Sequence, residues 1–409
     1  MTTSPGPSTA LAPDLAAELH AAARAHDDAV VELRRAIHAD PELGLTLPRT
    51  QQRVLDALDG LGLDISLGET TTSIVADLDT GRPGPRVLLR ADMDALPMHE
   101  DTDEPFRSAN DGAAHACGHD AHTAMLVGAA RILSEHRGEL RGSVRFMFQP
   151  GEEGFHGARY MIDEGVLDGV DRAFAIHITP NIPAGMLATR PGPLMASADT
   201  FRVDVVGRGG HASSPHFCTD PIPAACSIVG GLQTMITRDL DVNRPGLLTV
   251  ARIEAGTTTN VIPETATIEG TVRALDEASR STIHDGIHRV ATGIAAAHSC
   301  TCSVDIDRGY PVTVNHPGQS ALTAAVARQV LGDRGYVDIP TPVMGAEDFS
   351  YVLAGVPGAM AFLGVCPADV DDSLTAAPIH SNRMRLNEDA MAAGVAMHAA
   401  MAMAGDPTP

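Results

Sequence analysis

Cys117 and His119 stand two residues apart in the run HACGHDAH, and other groups able to bind metal lie far along the chain: Glu152-Glu153 in QPGEEG, His177 in AIHITP and His380 in PIHSNR. Thiolate, imidazole and carboxylate together are the donors of a borderline transition metal. Four ligands saturate a tetrahedral ion, and this set holds more groups than four ligands require. The surplus points to a metal site with a general base beside it. Gly118 lets the backbone turn tightly between Cys117 and His119, and a thiolate can bridge two ions while both depress its pKa. His115, Asp120 and His122 either support these groups from behind or simply open the helix that follows.

Glu152 and Glu153 project differently because they are neighbours. One can bind metal while the other takes a proton from metal-bound water, whose pKa falls toward ~7. Their alternative task is to complement the dipole of a helix over residues 157–163. In RADMDALP, Asp92 and Asp94 close a buried-looking strand at the carboxyl edge of a sheet, where open α/β folds place their sites. Acids there are often caps, but the place of Asp94 just ahead of the Cys117-His119 loop suits it to fix the orientation and tautomer of a ligating imidazole. His177 ends an apolar strand and His380 follows Pro-Ile in a loop; taken alone, each reads as structural.

Rigid elements must bring these groups together. Apolar residues recur at helical spacing from Leu15 to Ile37, stopped by the turn Pro41 to Gly44, and a second helix is predicted over Arg49 to Leu61. Strands are predicted at 73–78, 86–91, 143–148 and 172–178, with helices at 121–135 and 158–163 between the later ones. That is the rhythm of a sheet covered by helices. From Thr200 the order becomes strand 201–206, helix 221–240, strands 247–253 and 265–272, helix 277–297 and strand 301–306. This β-α-β-β-α-β order is a ferredoxin-like unit complete in itself. Helices at 319–330, 348–353 and 388–403 and a strand at 359–363 follow. Because His380 lies there, the outer segments are expected to fold together: a tail over 1–13, a catalytic domain over 14–194 and 311–409, and an inserted domain over 195–310.

Composition narrows the function. With 409 residues, 44% of them apolar, two or three domains are expected. Acidic residues outnumber basic ones 52 to 29, and the net charge of -23 repels nucleic-acid phosphates and anionic membranes. Trp is absent and other aromatics are scarce, so there is no platform for stacking bases. Six cysteines form no dense disulfide framework, and the start MTTSPGPSTALAP lacks the pattern of a secretory signal. No apolar run approaches the ~20 residues of a membrane span. A cytoplasmic enzyme with a small-molecule substrate is expected.

Several motifs, in order, resemble the co-catalytic metallo-amidohydrolases that include hippurate hydrolase, N-acyl-amino-acid amidohydrolases and plant auxin-conjugate hydrolases, within the aminoacylase/carboxypeptidase superfamily. They are RRAIHADPELG from Arg34, RADMDALP from Arg90, HACGHDAHTAML from His115, FQPGEEG from Phe148, GRGGHASSPH from Gly207, GTTTNVIP from Gly256 and MGAEDFS from Met344. The resemblance implies an α/β catalytic domain of the phosphorylase/hydrolase-like kind, with a mixed sheet flanked by helices, and an inserted ferredoxin-like α+β domain for lid and dimerisation. It implies two divalent ions per subunit (zinc, manganese, nickel or cobalt) on Cys117, His119, Glu153, His177 and His380, with Cys117 as bridge and Glu152 as general base. It also implies that His211 reaches the active site of a partner subunit to stabilise an oxyanion, and that Asn260 and Arg273 help hold the substrate carbonyl and carboxylate. Read from the residues alone, Gly209-Gly210 is a turn, Asn260 a turn residue and Arg273 a solvated strand position.

The implied reaction is hydrolysis of an N-acyl-L-amino acid by a homodimer or a tetramer built from dimers, with dipeptidase or carboxypeptidase activity as the nearest variant. The chain departs from the family in reading His-Ile-Thr-Pro at His177 where an aromatic is usual, in SNRMRL after His380, and in lacking the acid usual near Pro48. These departures bear on the acyl pocket. Two rivals remain: an amidase with Cys117 as nucleophile and His119 as base, which leaves Glu153, His177 and His380 idle, and a non-catalytic metal-binding protein of the same fold.

Overall fold

The computed structural model describes residues 11–405, which form two compact units. Residues 11–194, 314–341 and 351–405 make one; residues 195–313 and 342–350 make the other. The tail expected over 1–13 lies outside the described residues as far as residue 10. Leu11 is buried, and the Gln329 side chain holds both its amide and its carbonyl.

The first unit is built on an eight-stranded mixed sheet. Strand Arg86–Asp92 runs parallel to both Ser143–Gln149 and Arg172–Thr179, and Gly358–Gly364 runs parallel to Arg172–Thr179. These strands are near-continuous apolar runs buried at successive residues, which requires cover on both faces. Helices His119–Glu135, Pro317–Leu331 and Met391–Met403 supply it. The last is apolar but for His398 and buried from Met391 to Ala402. One sheet edge is the antiparallel pair Ile74–Asp79 and Asp64–Leu67; the other ends in the short strands Leu187–Thr189 and Tyr336–Asp338.

The helix expected over Leu15 to Ile37 is two helices, Pro13–Ala25 and Asp27–His38. The break falls at His26, whose amide closes the first helix on Ala22 and Ala23 and whose ring reaches Glu135 at 3.2 Å. Both halves keep the helical period, so apolar spacing alone passes over a one-residue interruption. Helix Pro48–Leu58 starts on the Glu42 carboxylate, which accepts from the Thr50 amide at 2.8 Å and its hydroxyl at 3.0 Å. A buried acid at a helix start both satisfies a free amide and complements the dipole.

The second unit has the order β-α-β-β-α-β. Its four strands lie as Gly246–Ala255, Thr265–Ala274, Asp199–Val206 and Thr301–Asp307, each pair antiparallel. Asp199–Val206 buries alternate residues, so one face is packed and one open. Phe201, Val203 and Val205 meet Ile228 and Leu232 of helix Pro221–Asp239 and Ile283 and Ile287 of helix Glu277–Ala297 in one core. Asp220 and Asp276 cap those helices through the Ile222 and Ser279 amides. The stretch 342–350, expected with the outer segments, clusters here because the Ala196 amide bonds to the carbonyls of Val343 and Gly345. Among the described residues, no helix is long and apolar enough to cross a membrane.

Candidate metal centre

Three adjacent parallel strands deliver the candidate groups at their carboxyl ends, as an open α/β sheet does. Arg86–Asp92 ends in Asp92, Ser143–Gln149 leads into Glu152 and Glu153, and Arg172–Thr179 carries His177. Gly118 has φ +88, and a Cβ on it would lie 2.4 Å from Ile178 Cγ1. Only glycine meets both demands, and helix His119–Glu135 begins at the next residue.

Two acids brace this frame. Buried Asp92 accepts from Arg90 at 2.5 Å and pairs with His122 Nδ1 at 2.6 Å. The Ile178 amide donates to His122 Nε2 at 2.8 Å. An amide can only donate, so Nε2 holds the lone pair and the ring proton sits on Nδ1. With both nitrogens engaged, His122 ties its helix to the His177 strand. Asp94 accepts from the Glu152 amide at 2.9 Å and the Glu153 amide at 3.0 Å. Expected to orient an imidazole, it faces His119 Nδ1 at 3.4 Å and spends its close bonds on the acidic loop.

The remaining donors converge. Cys117 Sγ lies 3.4 Å from His177 Nε2, while His177 Nδ1 meets the Ile178 carbonyl at 2.6 Å. That carbonyl holds the proton on Nδ1, so Nε2 turns its lone pair toward the sulfur. Glu153 Oε1 lies 3.3 Å from His380 Nε2 and 3.9 Å from His119 Nε2. His380 is half-exposed, with φ +66, and its amide is bonded to the Ala116 carbonyl at 2.8 Å. Donor atoms of Cys117, His119 and His177 all lie within 4.8 Å of one another, and so do those of Cys117, Glu153 and His380. Cys117 belongs to both triplets. Buried Glu152 places an oxygen within the same distance of His119 and Glu153.

Both ring nitrogens of His119 and Oε1 of Glu153 are buried without a hydrogen-bond partner; the close approach of His380 lacks the alignment of a hydrogen bond. Buried polar atoms left unpaired are rare and costly. Thiol, imidazole and carboxylate meeting at one buried place are the donors of a borderline divalent ion, so the residues present fit such a metal.

Electrostatics agree. Burial pushes the Cys117 thiol well above its ordinary value, and the carboxylates of Glu153, Glu152 and Asp92 push the same way. Burial takes His177 down to about 3, with His122 adding to it. Burial also opposes charge on His119, but Asp92, Asp94 and Glu153 outweigh it and lift the ring to about 10. Burial would raise Glu153, yet His380 and His119 hold it below the ordinary value. The pocket favours positive charge, and a bound cation would reverse the effect on the thiol.

The other face of the same loop is a closed ion network. Arg34 Nε donates to Asp120 at 2.9 Å and its Nη1 to Glu388 at 2.6 Å. His38 meets Asp120 at 2.8 Å and Glu100 at 3.2 Å. Burial opposes charge on His38, but Asp120 and Glu100 outweigh it and lift the ring to about 9. Arg34 and His38 stood in the sequence only as part of a motif. Their i,i+4 spacing on one helix face was the available signal for a shared task. His115 is buried with neither ring nitrogen hydrogen-bonded, and burial pushes it down to about 3.

In the second unit, His211 and Asn260 come together and Arg273 does not join them. Gly210–His211 pairs antiparallel with Val261–Ile262, and the Asn260 carbonyl accepts from the Ala212 amide at 3.1 Å. The Asn260 side chain accepts from Thr258 Oγ1 at 3.0 Å. Arg273 lies toward the far end of strand Thr265–Ala274, where its guanidinium donates to Thr271 Oγ1 and, at 2.9 Å, to the Val272 carbonyl. Partial burial lowers its pKa from the usual arginine value. It is therefore a half-buried position, not a solvated one.

Residues 88–404 match the family model described as Peptidase family M20/M25/M40. The chain is 39% identical over 394 residues to thermostable carboxypeptidase 1 of Saccharolobus solfataricus, covering 95% of this chain and 98% of that one. It is 40% identical over 380 residues to IAA-amino acid hydrolase ILR1-like 2 of Arabidopsis thaliana, covering 92% and 85%. Among solved structures, the YXEP protein of Bacillus subtilis, a dinuclear metal binding peptidase, superposes with a TM-score of 0.80 at 33% identity over 93% of this chain and 98% of that one.

Proposed function

The chain belongs to peptidase family M20/M25/M40 and is a metal-dependent hydrolase of amide bonds, and from that premise we propose that it cleaves N-acyl-L-amino acids into a carboxylic acid and a free amino acid. The observation that carries this reading is the pair of donor triplets sharing Cys117, with the Glu152 carboxylate beside them. Cys117, His119, His177, Glu153 and His380 would hold two divalent ions, zinc, manganese, cobalt or nickel, Cys117 belonging to both donor sets. When bound, such ions polarise the scissile carbonyl and bring the pKa of an attacking water toward ~7.

The protein's own groups do the rest. Glu152 takes the water's proton and returns it to the leaving amine. Asp94 fastens the backbone of Glu152 and Glu153 to the end of a buried strand, which fixes the height of both carboxylates. His211, supplied by a second copy of the chain in a homodimer, offers an N–H to the developing oxyanion, a donor that contributes about 3 kcal/mol to the barrier when well placed. Asn260 bears on the substrate carbonyl and Arg273 on its carboxylate. Six free cysteines among the described residues support the cytoplasm as the compartment.

Cys117 as a nucleophile is disfavoured by its chemistry. Burial and three carboxylates keep it a thiol, and the imidazole nitrogen at hydrogen-bond range is that of His177, not His119. The carboxypeptidase relative favours a second reading, cleavage of a dipeptide or a C-terminal residue by the same groups.

The test is hydrolysis of hippurate, N-acetyl-amino acids, an indole-acetyl-amino acid and several dipeptides by chelator-treated protein, with and without manganese, zinc, cobalt or nickel. Metal-restored cleavage of N-acyl amino acids is expected. Restored cleavage of dipeptides alone favours the second reading, and activity that survives complete metal removal overturns both.

A further inference from the structure

The turn that carries His211 is set from its backbone outward. His211 lies opposite Val261 in the two-stranded ribbon, and the Ser214 amide returns to the His211 carbonyl at 2.8 Å. A Cβ on Gly210 would fall 2.5 Å from Cys218 Sγ, and one on Gly209 2.6 Å from the Ile262 carbonyl oxygen. The paired glycines therefore serve close approach, where the sequence alone read a turn. The main chain holds the Cα of His211 in place.

Two donors then meet on a single ring nitrogen. The Ser213 amide reaches His211 Nδ1 at 3.1 Å, and the Ser213 hydroxyl lies 2.8 Å from the same atom. A hydroxyl can rotate to accept, but an amide cannot. Nδ1 must hold a lone pair, so the hydroxyl donates as well, and the proton of the neutral ring lies on Nε2. His211 is exposed, and Nε2 is its one ring nitrogen not taken up inside the turn.

We propose that Ser213 is a positioning residue for His211: its amide and hydroxyl together select the Nε2–H tautomer and fix the ring plane, so that the N–H is aimed before substrate arrives. The inference rests on the reading of His211 as donor to the oxyanion and adds what makes that donor fixed. A neutral imidazole can otherwise exchange its proton between nitrogens and turn about its bond to the chain. An oxyanion donor acts through preorganisation, so either freedom weakens it in the transition state more than in the ground state.

The experiment combines spectroscopy and kinetics on the full chain loaded with diamagnetic zinc. Imidazole nitrogens are labelled with 15N, and His211 is assigned by the signals lost in His211→Gln. At a pH where the ring is neutral, Nδ1 is expected at the unprotonated position, shifted by accepted hydrogen bonds, with Nε2 protonated. Ser213→Ala removes the hydroxyl and keeps the amide. It should reduce that Nδ1 shift and lower kcat about 10-fold while KM stays within about twofold, the pattern of an interaction made in the transition state. Ser213→Thr should restore both readouts.

A proton on Nδ1 in the unsubstituted protein, or an unchanged kcat in Ser213→Ala, overturns the role of Ser213 while leaving that of His211 intact. Full activity in His211→Ala overturns the oxyanion reading itself and this inference with it.

Discussion

The loop from His115 to His122 faces two ways, and its two faces are built on opposite terms. On one face His119, with Glu153 opposite, presents buried donor atoms that protein groups do not pair, and Cys117 stands among them with His177 at its sulfur. On the other, Asp120 is enclosed by Arg34 and His38, and His122 has a partner on each nitrogen. Neighbouring residues of one segment thus divide between Asp120 and His122, held by ion pairs and hydrogen bonds, and His119, whose ring nitrogens have no hydrogen-bond partner, although Asp120 Oδ1 and both nitrogens of His115 are unpaired as well. Residue type does not separate the two faces, both being histidine and acid; what separates them is that the unpaired atoms of His119 and Glu153 converge with Cys117. A buried polar atom without a partner raises the energy of the empty protein, and a bound cation is the compensation its donor type suits.

The largest effect should come from the open face. Glu152→Gln keeps the shape and the amide held by Asp94 but removes the carboxylate proposed as base. We expect kcat to fall about 10³-fold with bound metal per chain unchanged, since general-base groups contribute 10² to 10⁴. Loss of metal in parallel with activity would instead make Glu152 a ligand and blur the two faces.

The closed face should answer in stability. Asp120→Ala leaves Arg34 and His38 with buried charge and one fewer counter-ion, which costs on the order of 3–5 kcal/mol. Denaturant unfolding of chelator-treated protein measures it. His119→Ala under the same conditions should cost less, because the carboxylates that face its ring, Asp92 and Asp94, keep their closer partners Arg90, His122 and the Glu152 and Glu153 amides. Equal losses would break the comparison.

The smallest effect is one of pH. Folding lifts His38 to about 9 against an ordinary value near 6.5, so its charge stabilises the fold fully below about pH 6.5 and progressively less as pH rises through about 9. The stability deficit of His38→Gln should therefore be full, on the order of 3 kcal/mol, at pH 6 and should close toward pH 10. A deficit that widens with pH would mean that His38 is neutral in the fold.

Much of the fold was legible. Strands such as Arg172–Thr179 and Gly358–Gly364 are largely apolar runs, and the order of the second unit followed from alternation and helical spacing. Asp64–Leu67, exposed at every residue, and the three-residue strands Leu187–Thr189 and Tyr336–Asp338 were not legible, because edge strands this short or exposed carry no burial pattern. In the site, residue types at 117, 119, 152, 153, 177 and 380 announced metal chemistry. The task of Asp94 was read as orienting an imidazole, and its two amide bonds to the acidic loop were invisible, since they depend on how two strand ends lie side by side.

By itself, the sequence determined the donor types, their local spacing around Gly118, the family and the reaction class, because ligand chemistry and short motifs are covalent facts of the chain. Only the tertiary structure decided which nitrogen of His122, His177 and His211 carries a proton, that Cys117 stands in both donor triplets, and that Asp120 is sealed in an ion network while His119 is left open. Those are matters of partners. A partner is chosen by the docking of distant strands and loops, where each backbone amide or carbonyl imposes donor or acceptor character on the side chain it meets.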